Sequence, residues 1–322
     1  MKLVRSSRRN FVAALGAAAA GAWSLSLARA AAPTKPAAPQ APPAARPAAR
    51  AMSTRRIPRT DEAIPVIGLG TWERFDVELD DATRKRLGGV LKAFDDAGGR
   101  LVDTSPMYGR AEEVVGTLAA GAGLGDRLFM ATKVWTTGRD EGIRQMETSE
   151  KRLRRKRLDL MQVHNMVDAA THLETLAAWK KEGRVRYIGI THHVPSAFDD
   201  LEKWMREAKP DFVQLCYSIG RREAETRLLP LAADQGIAVI VNRPFDKGAH
   251  FKAVEGKTLP AWAAEAGCST WAQVFLKFIL ANPAVTCVIP ATGNPDHLAE
   301  NVGAGFGPPL SEEHRSRLLA LF

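Results

Sequence analysis

Asp103, Tyr108, Lys133 and His164 form the set of side chains best suited to chemistry in this sequence. A free tyrosine has a pKa of about 10 and is a poor proton donor near neutral pH. A nearby ammonium such as Lys133 would lower that pKa, and Asp103 would hold the ammonium protonated and in place. His164 would donate a hydrogen bond to a substrate oxygen or share the proton relay. The set suits reduction of a carbonyl, which needs a proton at oxygen when hydride arrives at carbon.

Each of these residues also has an ordinary structural explanation. An Asp–Lys pair is usually a structural ion pair, and a histidine at a strand end usually satisfies local hydrogen bonds. Tyr108 would then only cap a loop. The catalytic interpretation requires that all four side chains lie close together. Whether they do depends on the secondary-structure elements that carry them.

Eight short apolar runs alternate with amphipathic segments along the chain. The runs span residues 66–70, 100–103, 128–133, 158–164, 185–190, 212–216, 237–241 and 285–289. The amphipathic segments span residues 80–97, 110–120, 141–155, 171–182, 196–208, 223–235, 262–281, 296–302 and 311–319. Apolar strands that are each followed by a helix are typical of parallel strands buried on both faces. Eight of them predict an α/β fold, a closed (β/α)8 TIM barrel, with a short N-terminal hairpin at 57–66 and a C-terminal helix.

An open, doubly wound sheet is the alternative architecture, weakened because no Gly-x-Gly-x-x-Gly motif follows the first strand. In barrels of this kind, active sites lie at the C-terminal rim, on the loops that follow the strands. Asp103, Lys133 and His164 end the second, third and fourth predicted strands. Tyr108 follows the second strand, so closure of the barrel is expected to gather the four side chains.

Several stretches at these strand ends resemble the aldo-keto reductase family. They are Gly68-Leu69-Gly70-Thr71-Trp72, the stretch from Asp103 to Gly109, Ala131-Thr132-Lys133-Val134-Trp135, Gln162-Val163-His164-Asn165, Ile188-Gly189-Ile190-Thr191-His192, Gln214-Leu215-Cys216-Tyr217, and Val288-Ile289-Pro290 running to Asn301. The similarity extends from about residue 57 to the end of the chain.

The resemblance implies a barrel enzyme that uses NADPH, or less often NADH, without a metal. By similarity, Tyr108 is the general acid, Lys133 and Asp103 tune it, and His164 orients the carbonyl. The residues expected at the cofactor and the pocket beside it are Gly70, Thr71, Trp72, Asn165, Thr191, His192, Gln214, Tyr217, Asn242, Arg243, Thr292, Asn294, His297, Glu300 and Asn301.

Within that set, the resemblance gives some residues specific roles. Asn165 and Gln214 match positions that bind the nicotinamide carboxamide. Tyr217 matches the aromatic residue that stacks on the nicotinamide ring. Trp72 matches a position that lines the substrate pocket, while Glu300 and Asn301 match positions near the adenine.

The sequence departs from the family pattern at two strand ends. Thr191-His192 stands where the family usually has Ser-Asn, so one carboxamide contact is expected to be remodelled. The run 291–297 after the eighth strand has no fixed cation for a 2′-phosphate, which leaves the preference between NADPH and NADH open. Thr292, Asn294 and the following helix N-terminus would serve phosphate or ribose, and His297 would be a weak clamp. Arg243 would meet the pyrophosphate or pair with an acidic loop residue.

The N-terminal segment differs from the body in charge and composition. Of the 45 Lys and Arg residues, 11 precede residue 60, and the first acidic residue is Asp61. The remaining 34 basic and 36 acidic residues give a net charge of −2, which argues against a nucleic-acid-binding body. The three cysteines show no metal or disulfide spacing.

Residues 1–30 resemble a twin-arginine export signal. Arg8-Arg9-Asn10-Phe11 precedes an Ala/Gly-rich apolar stretch, and Ala28-Arg29-Ala30 fits a small-x-small cleavage site. Residues 31–55 are expected to be an Ala/Pro-rich disordered linker, and 56–322 the barrel. A periplasmic or secreted protein is expected, with the twin-arginine export machinery as a partner and no stable membrane anchor.

The leading functional hypothesis is an NAD(P)H-dependent oxidoreductase that reduces aldehydes or ketones to alcohols, with a small-molecule carbonyl as substrate. The alternative is a cofactor-binding regulatory or redox-sensing protein with little turnover. A metal-dependent hydrolase on the same barrel is a more distant possibility, which bound divalent metal would reveal.

Overall fold

A computed structural model describes residues 51–322, and the predicted signal peptide and most of the predicted linker lie outside that range. The first described element is an antiparallel hairpin of β1 (Thr54–Arg56) and β2 (Ala63–Pro65). It begins three residues earlier than the sequence predicted, inside the stretch assigned to the linker. The reason is the turn: Ile57 N donates to Glu62 O at 2.8 Å, so pairing continues outward from that bond.

Eight parallel strands follow in sequence order around the sheet. They are β3 (Leu69–Gly70), β4 (Leu101–Asp103), β5 (Phe129–Val134), β6 (Leu158–His164), β7 (Val185–Thr191), β8 (Phe212–Cys216), β9 (Ala238–Asn242) and β10 (Val285–Val288). Parallel bridges join Ile67 to Val288 and Gly70 to Ala291, which brings the last strand back to the first. The predicted (β/α)8 barrel is confirmed, and the open-sheet alternative is wrong.

Helices connect the strands on the outside of the barrel. They are α1 (Asp81–Asp96), α2 (Ala111–Gly121), α3 (Arg139–Arg152), α4 (Ala169–Lys181), α5 (Phe198–Ala208), α6 (Leu228–Gln235), α7 (Ala249–Ala253), α8 (Trp262–Glu265), α9 (Trp271–Leu280), α10 (Pro295–Gly303) and α11 (Glu312–Leu319). The predicted helix at 262–281 is two helices, because Gly267 adopts a φ of 69° between them. The short helix α7 was not predicted.

The barrel interior is closed by apolar side chains below the rim. Leu101, Phe129, Leu160 and Phe212 belong to this buried cluster. A Cβ at Gly70 would lie 2.9 Å from the Ile289 carbonyl oxygen, so only glycine permits the close approach that seals the barrel. Because side chains fill the interior, we expect a ligand to bind at the rim of the barrel.

Cys216, Cys268 and Cys287 are free and buried. Among residues 51–322, no cluster of three or more His, Cys, Asp or Glu side chains could hold a metal ion. Over the same range, no helix is long and apolar enough to cross a membrane.

Candidate active site

The centre of the rim holds a fully buried ion pair. Lys133 Nζ donates to Asp103 Oδ1 at 2.6 Å and to the Thr104 carbonyl oxygen at 2.7 Å. The same ammonium lies 4.9 Å from the centre of the Tyr108 ring. The Tyr108 and His164 rings meet edge to face with their centres 5.8 Å apart. The four predicted catalytic side chains therefore form one cluster.

Strand register and one tight loop produce this cluster. Asp103 ends β4, Lys133 lies one residue before the end of β5, and His164 ends β6. The loop that returns Tyr108 to the rim needs Gly109 at a φ of 57°. A Cβ there would lie 2.2 Å from Asp76 Oδ1, and the same carboxylate oxygen accepts the Arg110 amide at 2.9 Å. Gly109 and Asp76 together fix the loop that turns Tyr108 back to the rim.

Tyr108 is held in its protonated form. Burial raises the pKa of the Tyr108 phenol, and the positive charge of Lys133 only partly opposes that rise. Lys133 therefore acts on the pKa of Tyr108 in the predicted direction, but burial outweighs it and the net shift is upward. A protonated phenol is the form that a general acid requires.

Lys133 keeps its charge despite complete burial. Burial lowers the pKa of the Lys133 ammonium, but the Asp103 carboxylate and the Tyr108 phenol outweigh it, so the net shift is upward. Asp103 is fixed in turn by two amides that donate to its Oδ2, Gln162 at 3.1 Å and Gln214 at 2.9 Å. The Gln214 amide is engaged at both ends, because its nitrogen donates to Asp103 and its oxygen accepts from Thr191 and Asn242 at 3.4 Å. This arrangement disfavours the predicted carboxamide contact of Gln214.

His164 is a neutral hydrogen-bonding group. Burial, with Lys133 and the neighbouring histidines next in effect, lowers the pKa of His164 to about 2. Ser105 Oγ accepts the Met107 amide and lies 3.0 Å from His164 Nδ1, so we assign its hydroxyl as donor to that nitrogen. A neutral ring that accepts at Nδ1 carries its proton at Nε2. His164 can donate a hydrogen bond to a carbonyl oxygen, whereas the alternative of an imidazolium relay is disfavoured.

This shift in the pKa of His164 predicts how stability depends on pH. The pKa of His164 in the folded state lies below its ordinary value of 6.5. The contribution of neutral His164 to the free energy of unfolding is therefore complete above pH 6.5 and is lost as the pH falls below it. One proton taken up on unfolding gives a slope of about 1.4 kcal/mol per pH unit. We expect His164→Asn to flatten the curve of unfolding free energy against pH between 6 and 4 by up to about that slope. Parallel wild-type and variant curves from urea denaturation would contradict it.

Two further histidines stand beside the site where the family pattern differs. The His192 and His193 rings stack with their centres 5.2 Å apart. Burial, and then Arg243, lowers the pKa of His193 to about 4. His193 Nδ1 donates to Asn165 Oδ1 at 3.1 Å, which fixes the predicted carboxamide ligand Asn165 at the rim. Thr191 is buried and donates to Gln214 Oε1 at 3.4 Å.

Tyr217 does not lie at the rim. Its ring is fully buried and packs on Phe278 of α9 with centres 6.2 Å apart. Its hydroxyl donates to Glu225 Oε1 at 2.5 Å and accepts from Arg315 of α11 at 3.4 Å. No face of this ring is open to a nicotinamide, so the placement contradicts the stacking role predicted for Tyr217.

The opening of the site is lined by large side chains. Trp72 is half-buried, and Lys247 Nζ lies 5.2 Å from the centre of its ring. Trp135, 41% exposed, stands 6.4 Å from the His164 ring between ring centres. Thr71 is fully buried, and its hydroxyl donates to the Asp103 carbonyl oxygen at 2.9 Å. Thr71 and Gly70 therefore close the barrel, and neither of them is exposed to a cofactor.

The loop after β10 has a cation beside it that sequence reasoning missed. Arg86 of α1 donates to the Gly293 carbonyl oxygen at 2.5 Å. Asn294 caps α10 by accepting the Asp296 amide at 2.9 Å, and Thr292 Oγ1 accepts the Asn294 amide at 3.1 Å. The N-terminus of α10 and the Arg86 guanidinium together form a cationic corner, which the Asp296 carboxylate in the first turn of α10 partly offsets.

The remaining predicted cofactor residues occupy that side of the molecule or the neighbouring loop. His297 is exposed, Glu300 is half-buried and Asn301 is buried, all three on α10. Arg243 follows β9 at a φ of 50°. Within residues 51–322, no carboxylate forms an ion pair with Arg243, because the nearby Asp246 pairs with Arg221 at 2.9 Å. This favours the ligand-binding alternative for Arg243.

Comparison with known proteins agrees with the fold. The model of the Aldo/keto reductase family matches residues 66–321. Methylglyoxal reductase YeaE of Escherichia coli K12 is 29% identical over 75% of this chain and 85% of its own length. An uncharacterized oxidoreductase of Schizosaccharomyces pombe is 32% identical, covering 80% of this chain and 83% of its own. An aldo-keto reductase of Klebsiella pneumoniae, solved with NADPH, superposes with a TM-score of 0.71 at 26% identity over 85% of this chain and 95% of its own. The chain belongs to the aldo/keto reductase family.

Proposed function

We propose that this protein reduces aldehydes or ketones to alcohols with NADPH as the hydride donor. The observation that carries the proposal is the protonated Tyr108 phenol beside a buried, charged Lys133 and a neutral His164. Family membership supports an oxidoreductase, and the Klebsiella relative was solved with NADPH. NADPH supplies hydride to the carbonyl carbon when it is bound.

The rim residues fit a nicotinamide cofactor. Asn242 Oδ1 is buried and finds no hydrogen-bond partner within residues 51–322. A buried amide oxygen without a partner is costly, and a carboxamide N–H would satisfy it. Asn165 is held by His193 on the neighbouring loop. Its amide nitrogen makes no hydrogen bond within residues 51–322 and could donate to a carboxamide oxygen. We propose that Asn242 and Asn165 hold the carboxamide, a role that the resemblance had assigned to Asn165 and Gln214.

The protein's own part in the reaction follows from the site geometry. His164 donates a hydrogen bond from Nε2 to the carbonyl oxygen and orients it. Tyr108 transfers its phenolic proton to the same oxygen as negative charge develops there. Lys133 stabilises the resulting phenolate, and Asp103 keeps that ammonium fixed through the transfer.

Two measurements on the purified protein test the proposal. Fluorescence titration with NADPH and with NADH gives cofactor binding and preference. Loss of absorbance at 340 nm then reports turnover with a panel of aldehydes and ketones, which should include methylglyoxal because one relative is a methylglyoxal reductase. Tight NADPH binding without turnover on any carbonyl would instead favour the regulatory or redox-sensing alternative.

The cationic corner at Arg86 predicts a preference for NADPH. A 2′-phosphate placed at the N-terminus of α10 would pair with the Arg86 guanidinium. We expect Arg86→Met to weaken NADPH binding by roughly tenfold or more, since a charge-assisted hydrogen bond contributes about 1.5–3 kcal/mol. NADH binding, measured in the same titration, should change little. Equal weakening for both cofactors would show that Arg86 acts only through the Gly293 loop.

We also propose that the protein is exported by the twin-arginine route, on the strength of Arg8-Arg9-Asn10-Phe11 and the segment that follows. Arg8→Lys combined with Arg9→Lys should retain the protein in the cytoplasmic fraction, while the wild type is recovered outside it with a new N-terminus near Ala31. An unchanged distribution of the double variant would argue against this route.

A further inference from the structure

The loop of residues 135–138, called here the Trp135 loop, joins β5 to α3 at the rim. Its first residue carries a large aromatic side chain that remains 41% exposed beside the catalytic His164. β5 ends at Val134, so Trp135 is the first residue whose backbone groups leave the sheet. Backbone groups that leave a sheet need new partners unless water reaches them.

Gln145 of α3 supplies both partners. Its Oε1 accepts the Trp135 amide at 2.5 Å, and its Nε2 donates to the Trp135 carbonyl oxygen at 3.1 Å. One side chain thus binds Trp135 at two points, much as a neighbouring strand would. A two-point contact fixes the direction of the Cα–Cβ bond and hence where the indole starts.

Two side chains of α4 hold the rest of the Trp135 loop. His172 Nε2 donates to the Thr136 carbonyl oxygen at 2.8 Å. Asp168 Oδ2 accepts the Gly138 amide at 2.7 Å. Asp168 precedes α4 and makes no capping bond to the backbone of that helix. The backbone is tied at three residues while the indole above it stays open to solvent.

We propose that Gln145 is a positioning residue that fixes Trp135 as a rigid wall of the substrate opening. The wall favours carbonyl substrates that carry a planar apolar group, because an aromatic face held in place loses little entropy when a ring stacks on it. This inference rests on the proposed carbonyl reduction and adds a substrate class to it.

The test compares two aldehydes in two variants of α3. Gln145→Leu removes both bonds to Trp135 at similar side-chain size. Thr148→Ala, which removes a bond to the Arg144 carbonyl oxygen on the same helix, is the matched control. We expect Gln145→Leu to raise the KM for 4-nitrobenzaldehyde roughly five- to tenfold, the size of a lost aromatic contact. The KM for propanal and both kcat values should change less than about twofold, as should all constants of Thr148→Ala.

A double-mutant cycle separates positioning from general stabilisation. In a Trp135→Ala background, Gln145→Leu should cause no further rise in the KM for 4-nitrobenzaldehyde, because nothing remains to be positioned. The same rise in both backgrounds, or an equal rise for both aldehydes, would overturn the proposal.

Failure of the proposed function is distinguishable from failure of this inference. If the wild type bound NADPH but reduced neither aldehyde, carbonyl reduction would be rejected on that result alone. The rate of amide hydrogen exchange across residues 134–138 would still test whether Gln145 holds the Trp135 loop. Faster exchange in Gln145→Leu than in Thr148→Ala supports it, and equal exchange overturns it.

Discussion

Replacing Tyr108 with phenylalanine is expected to lower kcat/KM for carbonyl reduction by about 10²–10⁴-fold, the usual contribution of a general acid. The phenol is the only protonated acid in contact with both the Lys133 ammonium and the His164 ring among the described residues. Phenylalanine keeps the ring and its packing, so NADPH binding and thermal stability should be preserved. Steady-state kinetics, together with a fluorescence titration on the same preparation, checks both expectations.

Tyr187 provides a matched control for that substitution. It lies in β7, and its hydroxyl donates to Glu62 at 2.6 Å near the hairpin, far along the barrel from the rim. Tyr187→Phe therefore removes a tyrosine hydroxyl from the same barrel without touching the proposed proton path. Turnover of Tyr108→Phe within a few-fold of that of Tyr187→Phe would remove Tyr108 as the acid.

Replacing Lys133 with methionine is expected to damage both stability and activity. Removing one partner of a buried ion pair typically costs about 3–5 kcal/mol, because the other charge is left without compensation. Asp103 would retain only the amides of Gln162 and Gln214. Loss of the cation beside Tyr108 should also lower kcat on the order of 10²-fold, the usual effect of removing one electrostatic contact from an active site. Urea denaturation and steady-state kinetics measure the two effects separately.

A second buried lysine separates these two effects. Lys277 of α9 is buried and donates to the carbonyl oxygens of Ala266, Phe306 and Pro308 at 2.6–2.8 Å. Lys277→Met should therefore lose stability as well, but it should keep kcat and KM at temperatures where it remains folded. If Lys133→Met also kept its kcat, the ion pair with Asp103 would be structural only.

The fold and three of the four central side chains could be predicted from the sequence because they follow from periodicity. The position of Tyr108 depends instead on the loop that Gly109 and Asp76 fix. Eight apolar runs with intervening helices give the barrel, and strand ends of a parallel barrel share one rim. Asp103, Lys133 and His164 each stand at or next to such an end. These residues are far apart in the sequence, but the register between neighbouring strands brings their side chains together.

Tyr217 shows that a position at a strand end does not by itself determine which way the side chain points. Side chains alternate between the two faces of a strand, and in β8 Phe212 and Gln214 point into the barrel. Continued alternation places Tyr217 outward, where it packs on Phe278. The two-residue period of β8 thus indicates that Tyr217 points outward, whereas the resemblance to the family motif carries no information on side-chain direction.

Other contacts at the site join different elements and could not be predicted from the sequence pattern of one strand. Arg86 reaches the loop after β10 from α1, a helix about 200 residues earlier in the chain. Gln162 and Ser105 support Asp103 and His164 from buried positions whose residue types give no sign of that role. Such contacts depend on side-chain direction between elements, which hydrophobic patterns do not encode.

The central claim is that hydride goes to a carbonyl carbon while Tyr108 protonates the oxygen. NADPH deuterated at the transferable ring position, incubated with the wild type and an aldehyde, tests it most directly through the mass of the alcohol product. The account predicts one deuterium on the former carbonyl carbon in wild type, and product formation at least about 10²-fold slower in Tyr108→Phe. Alcohol formed without deuterium, or no alcohol from any carbonyl despite NADPH binding, would contradict it.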